Sequence, residues 1–312
     1  MKTTNYVLSK SSTIHCLLIA LAVSVSSCFR GEVPNQENAE VETLISNFPA
    51  NDALSVGRNG SVYASNFGQF GASGGTGTTI LKVNPRKMDF VPIAENLTGP
   101  LGNAVDKSGN VYVNNANNFV SADILKIAKN GTQTVLATIE GFPSGMTLDT
   151  KNNLYISNFS TPTVHKVTPE GEVTLIANDV RLAGGVGIDF DGRGNLLVGN
   201  YATGQILSVS LDGQVELIAS IPVVIENFVL GYITYHKGFI YGTAIGENLI
   251  YKVSLKGEVE VFAGTGVAST TDGLLLEATF NAPNGIAADP IRNILYISEF
   301  GGSGSLRAIK LF

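Results

Sequence analysis

The chain has 312 residues, a formal net charge of −6, 44% apolar and 15% charged residues, and two cysteines. A chain of this length can bury a sizeable core without a metal or a cross-link. No run of Lys or Arg offsets the acidic balance, so the surface repels phosphate backbones and argues against nucleic acid as a partner.

The chain starts with a polar leader carrying Lys2 and Lys10, followed by an apolar run from Ile14 to Val25 that is too short to span a bilayer. Small residues Ser26 and Ser27 then precede Cys28. This order reads as an export signal over residues 1–27, and Val25-Ser26-Ser27-Cys28 is similar to the lipobox of bacterial lipoproteins. The resemblance implies cleavage before Cys28 and acylation of its thiol, palmitate being a typical chain. The protein is then exported and lipid-anchored to a bacterial membrane, with the outer membrane, on its periplasmic or surface face, as the expected site. Loss of residues 1–27 removes Cys16 and leaves 285 residues of net charge −8, so with Cys28 acylated no disulfide can form. Residues 28–39 are a polar tether, and no later apolar segment approaches membrane-spanning length. The lipid is the expected membrane attachment.

From residue 40 onward one pattern recurs. A small residue and Gly open an apolar strand that ends near Asp; a turn follows, then a second strand with a central aromatic. Pro143-Ser144-Gly145-Met146-Thr147-Leu148-Asp149 and Leu154-Tyr155-Ile156-Ser157-Asn158 are one copy. The central positions are Tyr63, Tyr112, Tyr155, Leu197, Tyr241 and Tyr296, at gaps of 49, 43, 42, 44 and 55 residues. Third strands follow, such as Val164-His165-Lys166-Val167, then Gly-containing turns and alternating fourth strands such as Glu172-Val173-Thr174-Leu175-Ile176. Repeats of this length built only from short strands are propeller blades. The last copy stops after its third strand, while Glu40-Val41-Glu42-Thr43-Leu44-Ile45 reads like a fourth strand without a blade. The prediction is an all-β, six-bladed β-propeller over 40–312 with four-stranded blades, closed by an N-terminal strand that completes the last blade and removes two open edges.

Pro143-Ser144-Gly145…Asp149…Leu154-Tyr155-Ile156-Ser157-Asn158 and Phe262-Ala263-Gly264-Thr265-Gly266…Asn284-Gly285-Ile286-Ala287-Ala288-Asp289 resemble NHL repeats and, less closely, the gluconolactonase-like (regucalcin-like) propellers. The absence of Trp separates the chain from WD repeats. The gluconolactonase resemblance implies a central calcium held by a Glu, two Asn and an Asp on residues opening the inner strands. Here the residues before the repeat Gly read as Asp52, Leu101, Ser144, Gly184, Leu230 and Asn284. Asp52 and Asn284, from neighbouring first and last blades, are the candidate metal ligands; the family's Glu has no match.

Loops between strands two and three emerge on the same face as the links between blades, which makes that face the binding candidate. It carries Phe67, Phe159, Tyr201 and Phe300 just after the strand-ending position, the Glu226-Asn227 pair, and the insertion from Gly264 to Ala282. Partly exposed aromatics around a channel mouth stack on sugars or clasp peptides; the competing reading is that they cover blade junctions. Asn66, Asn115, Asn158 and Asn200 end four second strands and read as turn caps, whereas Glu299 replaces them in the last blade and is a candidate binding residue. Asp189-Phe190-Asp191-Gly192-Arg193-Gly194 begins like a calcium loop, but Arg193 stands at a ligand position, so it reads as a hairpin turn. No nucleophile elbow or Ser-His-Asp set is present. The expected function is non-catalytic binding of a protein, peptide or glycan partner at the cell envelope by a monomer that requires no cofactor. The alternative is a calcium-dependent lactonase or esterase, in which the metal polarises a carbonyl and activates water.

Overall fold

A computed structural model describes residues 39–312 apart from 72–73, 223–224 and 226–227. The signal segment, Cys28, nearly all of the tether and the Glu226-Asn227 pair lie outside the described residues.

The repeat folds as a six-bladed β-propeller. Blade one contains Leu54–Val56, Val62–Asn66, Thr79–Asn84 and Asp89–Ala94. Blade two contains Asn103–Val105, Val111–Asn115, Ser121–Ile127 and Gln133–Glu140, and blade three Pro143–Leu148, Leu154–Asn158, Thr163–Val167 and Val173–Asn178. Blade four is Gly185–Phe190, Leu196–Asn200, Gln205–Val209 and Val215–Ser220, and blade five Ile233–His236, Phe239–Ala244, Leu249–Ser254 and Val259–Ala263. The last blade takes Pro283–Asp289, Ile294–Glu299 and Ser305–Lys310 from the C-terminus and Glu40–Ser46 from the other end of the chain, with Val41 opposite Ile309 and Ser46 opposite Ser305.

The six central residues explain why the blades form a ring. Tyr63 packs among Val111, Val113, Leu125 and Ile127 of blade two, and Tyr112 among Leu154, Ile156 and Val167 of blade three. Tyr155 meets Ile188, Leu196 and Val198 of blade four, and Leu197 meets Ile240 and Val253 of blade five. Tyr241 reaches Leu295 and Ile297 of blade six, and Tyr296 completes the circuit on Val62, Leu81 and Val83 of blade one. Each blade thus buries its central side chain in its successor, and the core is six inter-blade layers.

Two glycines show why the repeat needs Gly on the inner strand. A Cβ on Gly145 would lie 2.0 Å from the Val186 carbonyl oxygen, and one on Gly285 would lie 2.1 Å from that of Asp52. Inner strands approach their neighbours more closely than any side chain permits.

The turns also follow from the sequence. Asp106, Asp149 and Asp191 each accept the backbone N–H two and four residues on, and Asn110, Asn153 and Asn195 each return a side-chain N–H to the same carboxylate. The calcium-like stretch at Asp191 is one of these turns, as expected. Asn158 and Asn200 cap the second strands by accepting the N–H groups of Ser160 and Thr161, and of Ala202 and Thr203. The insertion from Gly264 to Ala282 has a use that its sequence did not suggest: Gly273–Leu274 pairs with Glu40 and Val41, so part of it covers the outer edge of the closing strand.

Candidate functional site

A cavity of about 290 Å³ opens among the loops of the predicted face. Every blade contributes twice. The start of each inner strand supplies one residue, Asp52, Leu101, Ser144, Val186, Tyr232 and Asn284 in blade order. The loop after each second strand supplies a rim residue, Phe70, Phe119, Phe159, Tyr201, Ile245 and Phe300, with Gln69 beside Phe70. Phe142 and Phe228 enter from the links between blades. Part of the wall is an edge-to-face chain, with centroids of Phe142 and Phe159 5.9 Å apart, Phe159 and Tyr201 5.8 Å, and Tyr201 and Phe228 5.6 Å.

The inner-strand residues differ from the sequence register in blades four and five. Gly184 and Leu230 were expected there; Val186 and Tyr232 line the cavity instead. A β-bulge between Gly185 and Gly187 shifts the register in blade four. The Val186 carbonyl then stands against Gly145 as the Ser144 carbonyl stands against Gly102. In blade five, Gly187 abuts the backbone at Tyr232 and Ile233.

Tyr232 gives the cavity its polar centre. Its hydroxyl donates to Asp52 Oδ1 at 2.5 Å, the Ala53 N–H donates to the same oxygen at 2.8 Å, and Asn284 Nδ2 lies 3.3 Å from Oδ2. The two candidate ligands expected from the sequence are therefore neighbours across the seam between the last and first blades. Burial pushes the Asp52 carboxyl up to about 6, against the lowering effect of the Tyr232, Ala53 and Asn284 hydrogen bonds. Burial, then the charge and hydrogen bond of Asp52, hold the Tyr232 hydroxyl well above the usual phenol range. Burial and then the Asp52 charge raise Tyr201 as well.

These residues do not fit the calcium cage that the gluconolactonase resemblance implies. Such a cage needs roughly six to eight oxygens, and the floor offers one carboxylate, with Leu101 and Val186 among its other members. Asn284 turns its amide N–H groups toward Asp52 Oδ2 and the Asn51 carbonyl. Ser144 Oγ donates to the Phe142 carbonyl. Among the described residues no group of three His, Cys, Asp or Glu converges on a metal position.

The remaining candidates separate. Phe159, Tyr201 and Phe300 line the mouth. Phe67 does not: it is 1% exposed, because the long loop of blade one folds back as a hairpin pairing Phe70 with Gly75. Phe70, at 61% exposure, takes the rim position with its ring 4.7 Å from that of Phe67. Glu299 is also withdrawn from the mouth. Its carboxylate accepts from Asn281 N–H, the Thr270 and Ser305 hydroxyls and the Arg307 guanidinium. It does for the last blade what Asn158 does when it accepts from Phe142 N–H. Phe119, Phe142 and Phe228 were not singled out in the sequence, where no strand-ending residue marks them. His165 and His236 lie away from the cavity.

At the opposite end of the channel the inner strands of all six blades line a second, smaller cavity of about 220 Å³. Asp189 there accepts from the N–H groups of Tyr235 and Phe190 and from the Thr234 and Thr147 hydroxyls, tying together the inner strands of blades three, four and five.

Fold and cavity define the class: a six-bladed β-propeller with one aromatic-walled, acid-floored mouth. No protein-family model matches the chain, and no curated protein matches it in sequence. Among solved structures it is similar to an auxiliary nutrient binding protein from Bacteroides ovatus, with TM-score 0.69 and 14% identity over 88% of this chain and 76% of that one. It is also similar to a gluconolactonase from Xanthomonas campestris, with TM-score 0.64 and 12% identity over 88% and 90% of the two chains. Virginiamycin B lyase from Staphylococcus aureus gives TM-score 0.58 and 17% identity over 83% and 80%. At these identities the likeness is one of fold, and gluconolactonase-like propellers are among the structural neighbours.

Proposed function

We propose that this protein is a non-catalytic receptor, held at the cell envelope by a lipid on Cys28, that captures a protein, peptide or glycan partner by a protruding group inserted into the aromatic-walled mouth. The observation that carries the reading is the sixfold contribution to one cavity: every blade supplies a floor residue and a rim residue. A concave, largely apolar site with a few convergent polar groups is the usual form of a binding pocket. The nutrient-binding neighbours support this reading as an analogy of fold. The lactonase alternative draws on the gluconolactonase neighbours, but it needs a metal that the floor is poorly equipped to hold.

Calorimetric screening of the purified chain against aromatic and aliphatic amino acids, dipeptides and monosaccharides tests the binding site. Any ligand found should lose at least about tenfold in affinity in the Phe159→Ala, Tyr201→Ala double variant; retention of full affinity would move the site elsewhere. Calcium titration tests the rival. Saturable heat at millimolar calcium that disappears in Asn284→Ala would reinstate the metal-dependent hydrolase.

A further inference from the structure

We infer that the group this mouth receives is an organic cation, an ammonium or guanidinium on an apolar body, docked against Asp52; the inference rests on the binding reading above. Three observations converge on it.

The first is an uncompensated charge. Among the described cavity-lining residues Asp52 is the sole carboxylate, and none of them is a Lys, Arg or His. Its hydrogen-bond donors are the Tyr232 hydroxyl, the Ala53 N–H and the Asn284 amide, all neutral. No ion pair to Asp52 occurs among the described residues. A buried carboxylate without a counter-charge is costly, and a cation that enters beside it relieves that cost. Asp289 and Glu299 have such a partner in Arg292 and Arg307, whereas Asp189, at the other end of the channel, takes four neutral donors. At Asp52 the fold leaves the place open to the cavity.

The second is the wall. Eight of the fifteen lining residues are aromatic, and aromatic faces present negative potential to a cation while covering its apolar body. An anion or a strongly polar neutral group would find few hydrogen-bond donors here, since the polar lining residues are Gln69, Ser144, Asn284 and the two tyrosines besides Asp52. The third is the long-range field: a net charge of −6 draws cations toward the molecule and repels anions. The raised Asp52 pKa is consistent with this arrangement, because a bound cation would favour the ionised form that burial disfavours.

The inference is tested with matched probes of one shape: phenethylammonium, phenethyltrimethylammonium and neutral 2-phenylethanol, titrated calorimetrically into the purified chain. At about pH 8 both cations should bind at least about tenfold more tightly than the alcohol. Asp52→Asn should erase that preference by weakening both cations at least about tenfold. As the pH falls through about 6 the wild-type preference should fade, Tyr201 and Tyr232 being the other titratable groups on the cavity and both held neutral throughout. Tyr232→Phe removes one hydrogen bond from Asp52 and should shift the fade to higher pH; it supplies the test if Asp52→Asn fails to fold. Equal binding of cations and alcohol would overturn the charge inference and leave the cavity reading standing. A preference that survives Asp52→Asn would overturn it too, by placing cation recognition elsewhere. If none of the three probes binds, the cation inference falls, while the cavity reading is decided separately by the screen of amino acids, dipeptides and monosaccharides.

Discussion

Arg307 and Glu299 face each other across neighbouring strands of the last blade with side chains 0% and 1% exposed and Nη1 3.0 Å from Oε1. The guanidinium also donates to the carbonyls of Thr279 and Thr271, reaches Asp272 Oδ1 at 3.1 Å, and lies over the Phe280 ring. One buried cation thus fastens the insertion that covers the closing strand to the blade that strand completes. Arg307→Met should lower unfolding stability by about 3–5 kcal/mol, because it strands the Glu299 carboxylate in the interior. The double variant Arg307→Met, Glu299→Gln should be less destabilised than Arg307→Met alone. Denaturant midpoints of the three proteins decide it.

Ring closure makes a second prediction. Val41 is fully buried opposite Ile309, and the closing strand supplies the last blade's fourth position. Val41→Asp should cost more than about 4 kcal/mol, since a charge is placed in the core with no partner. Removal of residues 40–46 should abolish the cooperative melt, because it opens two strand edges and exposes the buried face of Ser305–Lys310. A melting curve unchanged by that deletion would show that the ring holds without its clasp.

The ring was legible in the sequence because each blade repeats its own packing logic. Tyr63 through Tyr296 recur at blade spacing, and Glu40–Ser46 reads like Val173–Asn178 because both must alternate wet and dry faces on an outer strand. The rim was legible in part: Phe159, Tyr201 and Phe300 follow their strands directly, so strand ends locate them. Phe70, Phe119, Phe142 and Phe228 were not, because loop length and local hairpins decide which side chain reaches the mouth. Tyr232 and Val186 were hidden by bulges, since in Gly184-Gly185-Val186-Gly187 the sequence does not say which glycine meets the neighbouring strand. Glu299 looked functional because it breaks a pattern of asparagines. Its environment shows the substitution to be paired with Arg307, a partner eight positions away that the repeat pattern alone does not reveal.

The proposed membrane attachment makes a third prediction, carried by Val25-Ser26-Ser27-Cys28. Expressed in a bacterium with its leader, the wild-type chain should partition into detergent on phase separation, and Cys28→Ala should move to the aqueous phase. Two or more acyl chains are needed for stable anchoring, so the N-terminal peptide of the wild-type protein should carry a multiply acylated Cys28 by mass spectrometry. An unmodified Cys28 thiol on the exported protein would replace the anchor with an ordinary secretory signal.

Asp52 should make stability depend on pH in a direction opposite to that of an ordinary surface carboxylate. Its pKa is about 6 in the fold against 3.8 for an unperturbed aspartate, with burial as the largest cause. Between those values the native state holds a proton that the unfolded chain has released, so stability falls as pH rises through this window. Above about pH 6 the deficit is constant and of order 3 kcal/mol. Asp52→Asn removes the titration while keeping an oxygen for Tyr232 and the Ala53 N–H. It should therefore melt higher than wild type at about pH 8 and close to it at about pH 4. The gain will be less than the full deficit, because the new amide N–H meets the Asn284 N–H across a 3.3 Å contact. Melting temperatures of both proteins across that range test the sign directly: a variant destabilised equally at both ends would mean that Asp52 is held ionised and well paired in the native protein.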